Sequence, residues 1–93
     1  MILCDSCIKQ LSTELLAEDM YVLFCLENRV SMKDALDRDT IVNLVGTLNY
    51  YSVSKVLQKL EILGLLYGGK NGKRHMYYLT NNGVKMLNLL LPK

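Results

Sequence analysis

The sequence has little of what marks disordered, fibrous or membrane-spanning chains. Its 93 residues include one proline and six glycines, whereas 51% of the residues are hydrophobic and 22% are charged. That balance excludes a disordered, collagen-like or low-complexity chain. The longest unbroken apolar run, Met20 to Leu26, is far shorter than the roughly 18 residues of a membrane-spanning helix. The length allows one small domain.

A secretory signal and the residues of an acid–base active site are also missing. The first three residues are followed directly by Cys4 and Asp5, without the basic start and apolar stretch of a signal peptide, so we expect a cytoplasmic protein without a membrane partner. The single histidine, His75, has no carboxylate close to it in the sequence. The chain is therefore not expected to be an enzyme.

The small net charge of +2 conceals an uneven distribution along the chain. Residues 1–39 contain eight acids and four bases, a net charge of −4, whereas residues 40–93 contain one acid and seven bases, a net charge of +6. An acidic half joined to a basic half is typical of a protein that turns one face to a polyanion. A basic surface that has no partner is the alternative interpretation.

The first half of the chain shows helical spacing. Apolar residues recur every three or four positions from Ile8 onwards, which is typical of amphipathic helices. Capping residues mark later helix starts, because Ser31 stands three residues before Asp34 and Asp39-Thr40 precedes an apolar run. We expect a helix that breaks near residues 12–18, a helix over about 18–28, a short helix near 32–38 and another over about 41–48.

The clearest helical pattern covers residues 52–64. Its apolar residues fall on one stripe, while the opposite face is polar and basic. Ser52 is the predicted N-cap, and Gly64 stands where a left-handed residue ends a helix. The stripe consists of Val53, Val56, Leu57, Leu60 and Leu63, and the polar face of Ser54, Lys55, Gln58 and Lys59.

A hairpin and a last helix follow. Residues 65–79 alternate as strand, turn and strand, and Asn71-Gly72 is a strong signal for a tight hairpin turn. Tyr77 and Leu79 are expected on one face of the second strand. Thr80 or Asn81 can then cap a helix over about 82–91 that is apolar on nearly every side and ends at Pro92.

These elements resemble the MarR-like winged-helix regulators of bacteria and archaea. That family has a recognition helix of the form S-x-V-S-x-x-L-x-x-L-E-x-x-G-L, then a wing with a basic, glycine-containing tip, then L-T-x-x-G. Residues 52–65 follow the first pattern, Asn71-Gly72-Lys73-Arg74 the wing tip, and residues 79–83 the last pattern. The short chain and its cysteines are also similar to compact winged-helix proteins of viruses that infect hyperthermophilic archaea, which would place it in the host cytoplasm.

The resemblance implies a mostly α protein with a small β-hairpin (α+β), folded as a winged helix-turn-helix. It also implies a transcriptional regulator that binds palindromic double-stranded DNA as a homodimer. Two apolar ends on a small domain support a dimer independently, because symmetric homodimers are the commonest way to cover such surfaces. We expect one domain over residues 1–93, with dimerisation segments at 1–17 and 82–93, a recognition helix at 52–64 and a wing at 65–79.

The resemblance and the charge pattern nominate DNA-contacting residues. A recognition helix enters the major groove by its N-terminal part, and a wing follows the phosphate backbone or a narrow minor groove. The alternatives are that one of the two tyrosines packs in the core and that the lysines serve only solubility. The candidates are Tyr50, Tyr51, Ser52, Ser54, Lys55, Gln58 and Lys59 on the helix, and Lys70, Lys73 and Arg74 at the wing tip.

Three cysteines leave several interpretations open. Cys25 lies in an apolar run and is expected to be a buried thiol. Cys4 and Cys7 form a C-x-x-C pair, but zinc would need Cys25 and His75 as further ligands, and a thioredoxin-type motif lacks its βαβ setting. Free thiols and an intersubunit disulfide through Cys4 or Cys7 remain, the latter because proteins of hyperthermophilic archaea tolerate intracellular disulfides. No metal or cofactor is expected.

Two further functions stay open at this point. One is a winged helix that serves only as a protein-interaction module, without DNA binding. The other is a redox-responsive regulator whose DNA affinity is switched by Cys4 and Cys7.

Overall fold

The computed structural model describes residues 4–91, in which five helices pack with a small antiparallel sheet of three strands. The sheet has the strand order β1-β3-β2. No helix within the described residues is long and apolar enough to cross a membrane. The elements are α1 (Asp5–Ser12), α2 (Ala17–Cys25), a 3-10 turn (Met32–Asp34), β1 (Leu36–Asp37), α3 (Arg38–Val45), α4 (Tyr50–Ile62), β2 (Leu66–Asn71), β3 (Arg74–Leu79) and α5 (Asn81–Leu90).

The break predicted near residues 12–18 is present, since α1 ends at Ser12 and α2 begins at Ala17. The short helix predicted near 32–38 is wrong. Only one 3-10 turn forms there, because the next two residues pair with β3, Leu36 with Tyr77 and Asp37 with Met76. A strand pairing with a partner about 40 residues away competes with local helix formation, and here it prevails.

The helices α3 and α4 both begin earlier than the sequence predicts. Asp37, and not Asp39-Thr40, caps α3, because its Oδ1 accepts the backbone N–H of Thr40 at 2.9 Å. Asn49, and not Ser52, caps α4, because its Oδ1 accepts the backbone N–H of Ser52 at 2.8 Å. Both caps are of the preferred residue types. The earlier start of α4 places two tyrosines in its first turn.

The apolar stripe of α4 and the glycine after it follow the prediction. Val53, Val56, Leu57 and Leu60 are buried, and Gly64 takes a φ of 79° in the left-handed region. The stripe packs α4 against α2 and α3. Because this face is buried, the opposite face of α4 is the one that points to solvent.

The hairpin forms with its turn one residue later than predicted. Asn71 pairs with Arg74 within the ladder, so the two-residue loop is Gly72-Lys73. Gly72 has a φ of 68°, which a Gly-X hairpin loop requires at its first position. Tyr77 and Leu79, which are expected to share one face of the second strand, are both buried.

The segment after the hairpin joins α4 to α5 through backbone contacts. Thr80 caps α5, since its Oγ1 accepts the Gly83 N–H at 3.1 Å while donating to the carbonyl of Gly64 at 2.6 Å. Gly83 lies so close to the Leu65 carbonyl that a Cβ at this position would collide with it. The L-T-x-x-G pattern therefore has a structural role: Thr80 and Gly83 allow the start of α5 to pack closely on the backbone that follows α4.

The first and last helices of the described residues, α1 and α5, pack against each other. Ile8 of α1 and Met86 and Leu87 of α5 are buried, whereas Leu89 is 44% exposed. Contact between α1 and α5 thus covers apolar surface that was expected to be covered by a partner subunit. The predicted helix end at Pro92 lies outside the described residues.

Candidate nucleic-acid interface

A solvent-open cleft of about 300 Å³ lies where the tip of the hairpin meets the first turns of α3 and α4. Three elements that are far apart in the sequence border it, and each contributes polar or charged side chains. Its lining residues are Asp37, Arg38 and Asp39 from β1 and α3, Tyr50 from α4, and Lys73, Arg74 and His75 from the hairpin.

Arg38 ties these elements together. Its Nη1 donates to the Tyr50 hydroxyl at 3.0 Å, and its Nη2 donates to the Tyr77 hydroxyl at 2.9 Å. Hydrogen bonds to Tyr77 and then to Tyr50 raise the pKa of Arg38 above its ordinary value. Among residues 4–91, the Nε of Arg38 is the buried side-chain nitrogen or oxygen without a hydrogen-bond partner. The guanidinium is thus held by phenols, which leave its charge unneutralised.

The exposed face of α4 carries a stripe of polar and aromatic residues. Tyr51, Lys55 and Gln58 are exposed at i, i+4 and i+7 spacing, and the Lys55 Nζ lies 4.8 Å from the centroid of the Tyr51 ring. Tyr50 is 52% exposed and Tyr51 66% exposed, so neither tyrosine is a core residue. This stripe contains no acid.

The two serines of α4 are engaged locally. Ser52 and Ser54 are half-buried, and the backbone N–H of Ser52 is taken by the Asn49 cap. The Ser54 hydroxyl donates to the Tyr50 carbonyl one turn earlier, at 2.8 Å. The Ser54 hydroxyl therefore donates its hydrogen bond within the helix, and its oxygen can act only as an acceptor for a partner outside the helix.

Lys59, unlike Lys55, forms an ion pair with a buried carboxylate. Its Nζ lies 2.6 Å from Oδ2 of Asp19, a carboxylate that is 2% exposed, and it also donates to the Glu14 carbonyl at 3.1 Å. Oδ2 of Asp19 additionally accepts the backbone N–H of Leu16 at 2.8 Å, which closes the start of α2. Lys59 therefore joins α4 to α2, and its charge is already paired.

The hairpin tip holds three exposed cationic side chains, those of Lys70, Lys73 and Arg74. Arg74 is 76% exposed and lies 3.3 Å from Oδ2 of Asp37, its neighbour on β1. The hydrogen bond from Thr40 and, to a smaller extent, the charge of Arg74 lower the pKa of Asp37. An exposed ion pair of this kind is weak, so Arg74 can exchange Asp37 for another anion.

Solved structures share this arrangement of elements. TubR from Bacillus megaterium pBM400 superposes with a TM-score of 0.80 at 22% identity, over 89% of this chain and 93% of TubR. The DNA complex of Staphylococcus aureus MepR gives 0.74 at 22% identity, over 91% of this chain and 68% of MepR. The transcriptional regulator SlyA gives 0.70 at 19% identity, over 92% of this chain and 61% of SlyA. The fold is a winged helix-turn-helix.

No family sequence model and no curated protein sequence matches the chain. The structural likeness therefore shows the fold, in which the hairpin of β2 and β3 is the wing. The similarity to viral proteins of hyperthermophilic archaea stays a prediction from the sequence.

Sequence reasoning missed Arg38 and the partner of Lys59. Arg38 stands 39 residues from Tyr77, and Lys59 stands 40 residues from Asp19. The one local signal is that Arg38 follows a helix-capping aspartate, which places it in the first turn of α3. That position does not by itself indicate a role at the wing.

The three cysteines do not line the cleft. Cys4 and Cys7 are exposed at the start of α1, with their Sγ atoms 3.0 Å apart. Cys25 is half-buried, not fully buried as expected, and burial raises the pKa of its thiol. Within the described residues, no group of three or more His, Cys, Asp and Glu side chains could hold a metal ion.

Proposed function

We propose that this protein binds double-stranded DNA and acts as a transcriptional regulator. The observation that carries the proposal is the cleft between α4 and the wing, where three cations, Arg38, Lys73 and Arg74, outnumber the two carboxylates of the lining beside the exposed first turn of α4. Such a concentration of cations suits a phosphate backbone. The same fold in the MepR–DNA complex supports the proposal.

The exposed side chains divide into two kinds of contact. Tyr51, Lys55 and Gln58 on α4 face solvent together, and lysine and glutamine are residue types that read guanine and adenine in the major groove. Ser52, Ser54 and Tyr50 lie at the same end of α4 and are assigned to phosphates or bases at the groove edge. Lys70, Lys73 and Arg74 are assigned to the phosphate backbone.

Two residues take roles different from those expected from the sequence alone. We assign Lys59 to holding α4 on α2, because its charge is paired with a buried carboxylate. We assign Arg38 to a phosphate contact at the cleft, because it lines the cleft and its guanidinium donates to two phenols and not to a carboxylate. A phosphate can accept from a guanidinium that no carboxylate neutralises.

We further propose that the protein acts as a homodimer on a palindromic site, with residues 1–17 and 82–93 forming the subunit contact. The exposed Leu89 on α5 supports an apolar contact at this end of the molecule. Sedimentation at micromolar concentration measures the oligomeric state. Selection of duplexes from a random pool measures the operator, and a two-fold symmetric winner is expected since dimer symmetry is mirrored in the site. A monomer that selects an asymmetric site contradicts the dimer.

The division of contacts predicts distinct effects for α4 and the wing. Lys55→Ala is expected to weaken binding to the selected site by about tenfold and binding to random DNA much less, because a base contact is worth about 1–3 kcal/mol. Lys73→Ala and Arg74→Ala are expected to weaken both DNAs alike and to reduce the slope of log affinity against log salt by about one unit each. Fluorescence anisotropy across a salt series measures all three.

Glu61→Ala serves as a matched control, because Glu61 is exposed near the far end of α4. It is expected to leave the preference for the selected site unchanged. Equal losses on both DNAs for Lys55→Ala would show that α4 does not read bases. Absence of duplex binding by the unaltered protein at low salt would favour the protein-interaction module instead.

Replacement of Asp37 is expected to raise DNA affinity, whereas the variants above lower it. Asp37→Asn keeps a good N-cap on α3 but removes the negative charge beside Arg74. DNA affinity at neutral pH is expected to rise about threefold, the size of one exposed ion pair. The pKa of Asp37 is lowered in the folded protein, so its contribution to stability is present above the ordinary carboxylate pKa and is lost as pH falls through the lowered one. In Asp37→Asn, the part of the stability loss at low pH that comes from protonation of Asp37 is expected to be absent.

Two measurements test the Asp37→Asn variant. Anisotropy at pH 7 measures its DNA affinity, and thermal unfolding between about pH 2 and 7 measures its stability across the ordinary aspartate pKa of about 3.9. A fall in DNA affinity would mean that Asp37 orders Arg74 for binding and does not compete for it.

A further inference from the structure

Cys4 and Cys7 form a pair of exposed thiols that face each other. Cys4 is the N-cap of α1, and Cys7 lies in its first turn. Their Sγ atoms are 3.0 Å apart, and a disulfide bond is about 2.05 Å long. Small rotations of two exposed side chains therefore suffice to bring the sulfurs to bonding distance, without displacing a core residue.

We propose that Cys4 and Cys7 constitute a thiol–disulfide exchange site that reacts with small disulfides and closes to a disulfide within one subunit. The thiolate of Cys4 attacks one sulfur of the small disulfide, whose S–S bond breaks and releases one small thiolate. Cys7 then gives its proton to water and attacks Sγ of Cys4, releasing the second small thiolate. The two cysteines lose two electrons, and the small disulfide gains them. This inference does not depend on DNA binding.

The surroundings distinguish the two sulfurs. The Ser6 hydroxyl, 3.3 Å from Sγ of Cys4, and then the Cys7 thiol lower the pKa of Cys4 to about 7. The pKa of Cys7 is raised by its contact with Cys4. Because the thiolate is the attacking species, Cys4 is the attacking residue and Cys7 the one that closes the ring.

Charged groups around the pair come from α1, from the loop after it and from α5. On α1 they are Asp5, next to Cys4, and Lys9, one turn further on, while Glu14 borders the same surface as Cys7. From α5, Lys85 faces this end, with its Nζ 3.9 Å from Oδ1 of Asp5. These charges are of both signs, so the contacts of Cys4 with Ser6 and Cys7 dominate its titration.

Intramolecular closure replaces the intersubunit bridge as the expected oxidised form. The facing sulfur is already in place within the subunit, so its effective concentration exceeds that of any thiol on another molecule. Cys25 provides an internal reference, since it is half-buried and its pKa is raised.

The experiment treats the reduced full chain with oxidised glutathione and follows intact mass, non-reducing electrophoresis and the number of thiols that can be alkylated. The expected product is a monomer that has lost two hydrogen atoms and has one alkylatable thiol, on Cys25. The initial rate is expected to rise with pH and to level off above about 7, the pKa of Cys4. Ser6→Ala is expected to move this midpoint upward.

Variants at the exposed positions separate the two roles. Cys7→Ser is expected to stop at a glutathione adduct on Cys4, whereas Cys4→Ser is expected to react about tenfold more slowly at pH 7. A covalent dimer as the main product would overturn the proposal. Equal reaction rates for all three cysteines, or an unchanged pH midpoint in Ser6→Ala, would overturn it too.

Discussion

Lys59→Met is expected to lower the free energy of unfolding by about 2 kcal/mol, because it leaves a buried carboxylate without its cation. Methionine keeps the apolar stem of lysine and removes only the charge, which leaves the Asp19 carboxylate, 2% exposed, without its cation. Removing one partner of a fully buried ion pair costs about 3–5 kcal/mol. The Lys59 side chain is 37% exposed, so solvent screening reduces that figure.

Chemical denaturation of Lys59→Met and Lys55→Met measures this difference. Lys55 lies one turn earlier on α4, is exposed and places its Nζ over the exposed Tyr51 ring, so its replacement is expected to change stability by less than about 0.5 kcal/mol. In the double variant Asp19→Asn/Lys59→Met no buried charge is left, and the amide oxygen of the introduced asparagine can still accept the N–H of Leu16. The double variant is therefore expected to be more stable than Lys59→Met. Equal stability of the two lysine variants would refute a structural role for Lys59.

Arg38→Ala is expected to weaken DNA binding by about 30-fold, the equivalent of one charge-assisted hydrogen bond of about 2 kcal/mol. The substitution removes a cation from the cleft and also releases the hydroxyl of Tyr50 on α4 from the wing. It leaves the hydroxyl of Tyr77, a residue 2% exposed, without its donor. A loss of unfolding free energy of about 1–2 kcal/mol is expected as well.

Two further variants separate the charge of Arg38 from its positioning of α4. Arg38→Lys keeps the charge but cannot reach both phenols with a planar fork, and its affinity is expected to lie between those of Arg38→Ala and the unaltered protein. Tyr77→Phe removes the tie to the wing and leaves the guanidinium intact. Anisotropy with the selected duplex measures affinity, and denaturation confirms that each variant is folded. Unchanged affinity in Arg38→Ala would exclude Arg38 from the DNA interface.

Local signals predicted most of the helices and the wing. The apolar stripe of α4, the left-handed Gly64, the glycine of the hairpin loop and the Thr80 cap all depend on residues within a turn or two of each other. The errors of two or three positions at helix starts have a common cause. Asp37 and Asn49 compete with Asp39 and Ser52 as caps, and all four are suitable residue types.

The candidate site was predicted in part. The exposed residues Lys55, Gln58, Lys73 and Arg74 lie on the elements expected of them. The sequence could not separate Lys59 from Lys55, because both lie on the polar side of one helical wheel. Burial of Asp19 against α4 separates them, and this depends on how α2 packs.

The sequence alone determines three features: the succession of helices, hairpin and last helix, the buried stripe of α4, and the cationic hairpin tip. Each is set by spacings of a few residues. Three-dimensional packing alone decides the third strand, the Arg38 link between α4 and the wing, and the pairing of Lys59. The hydrogen bond of Arg38 to Tyr77 and the ion pair of Lys59 join residues 39 and 40 positions apart. No local propensity encodes such contacts, because they form only when the surrounding core holds both partners within hydrogen-bond distance.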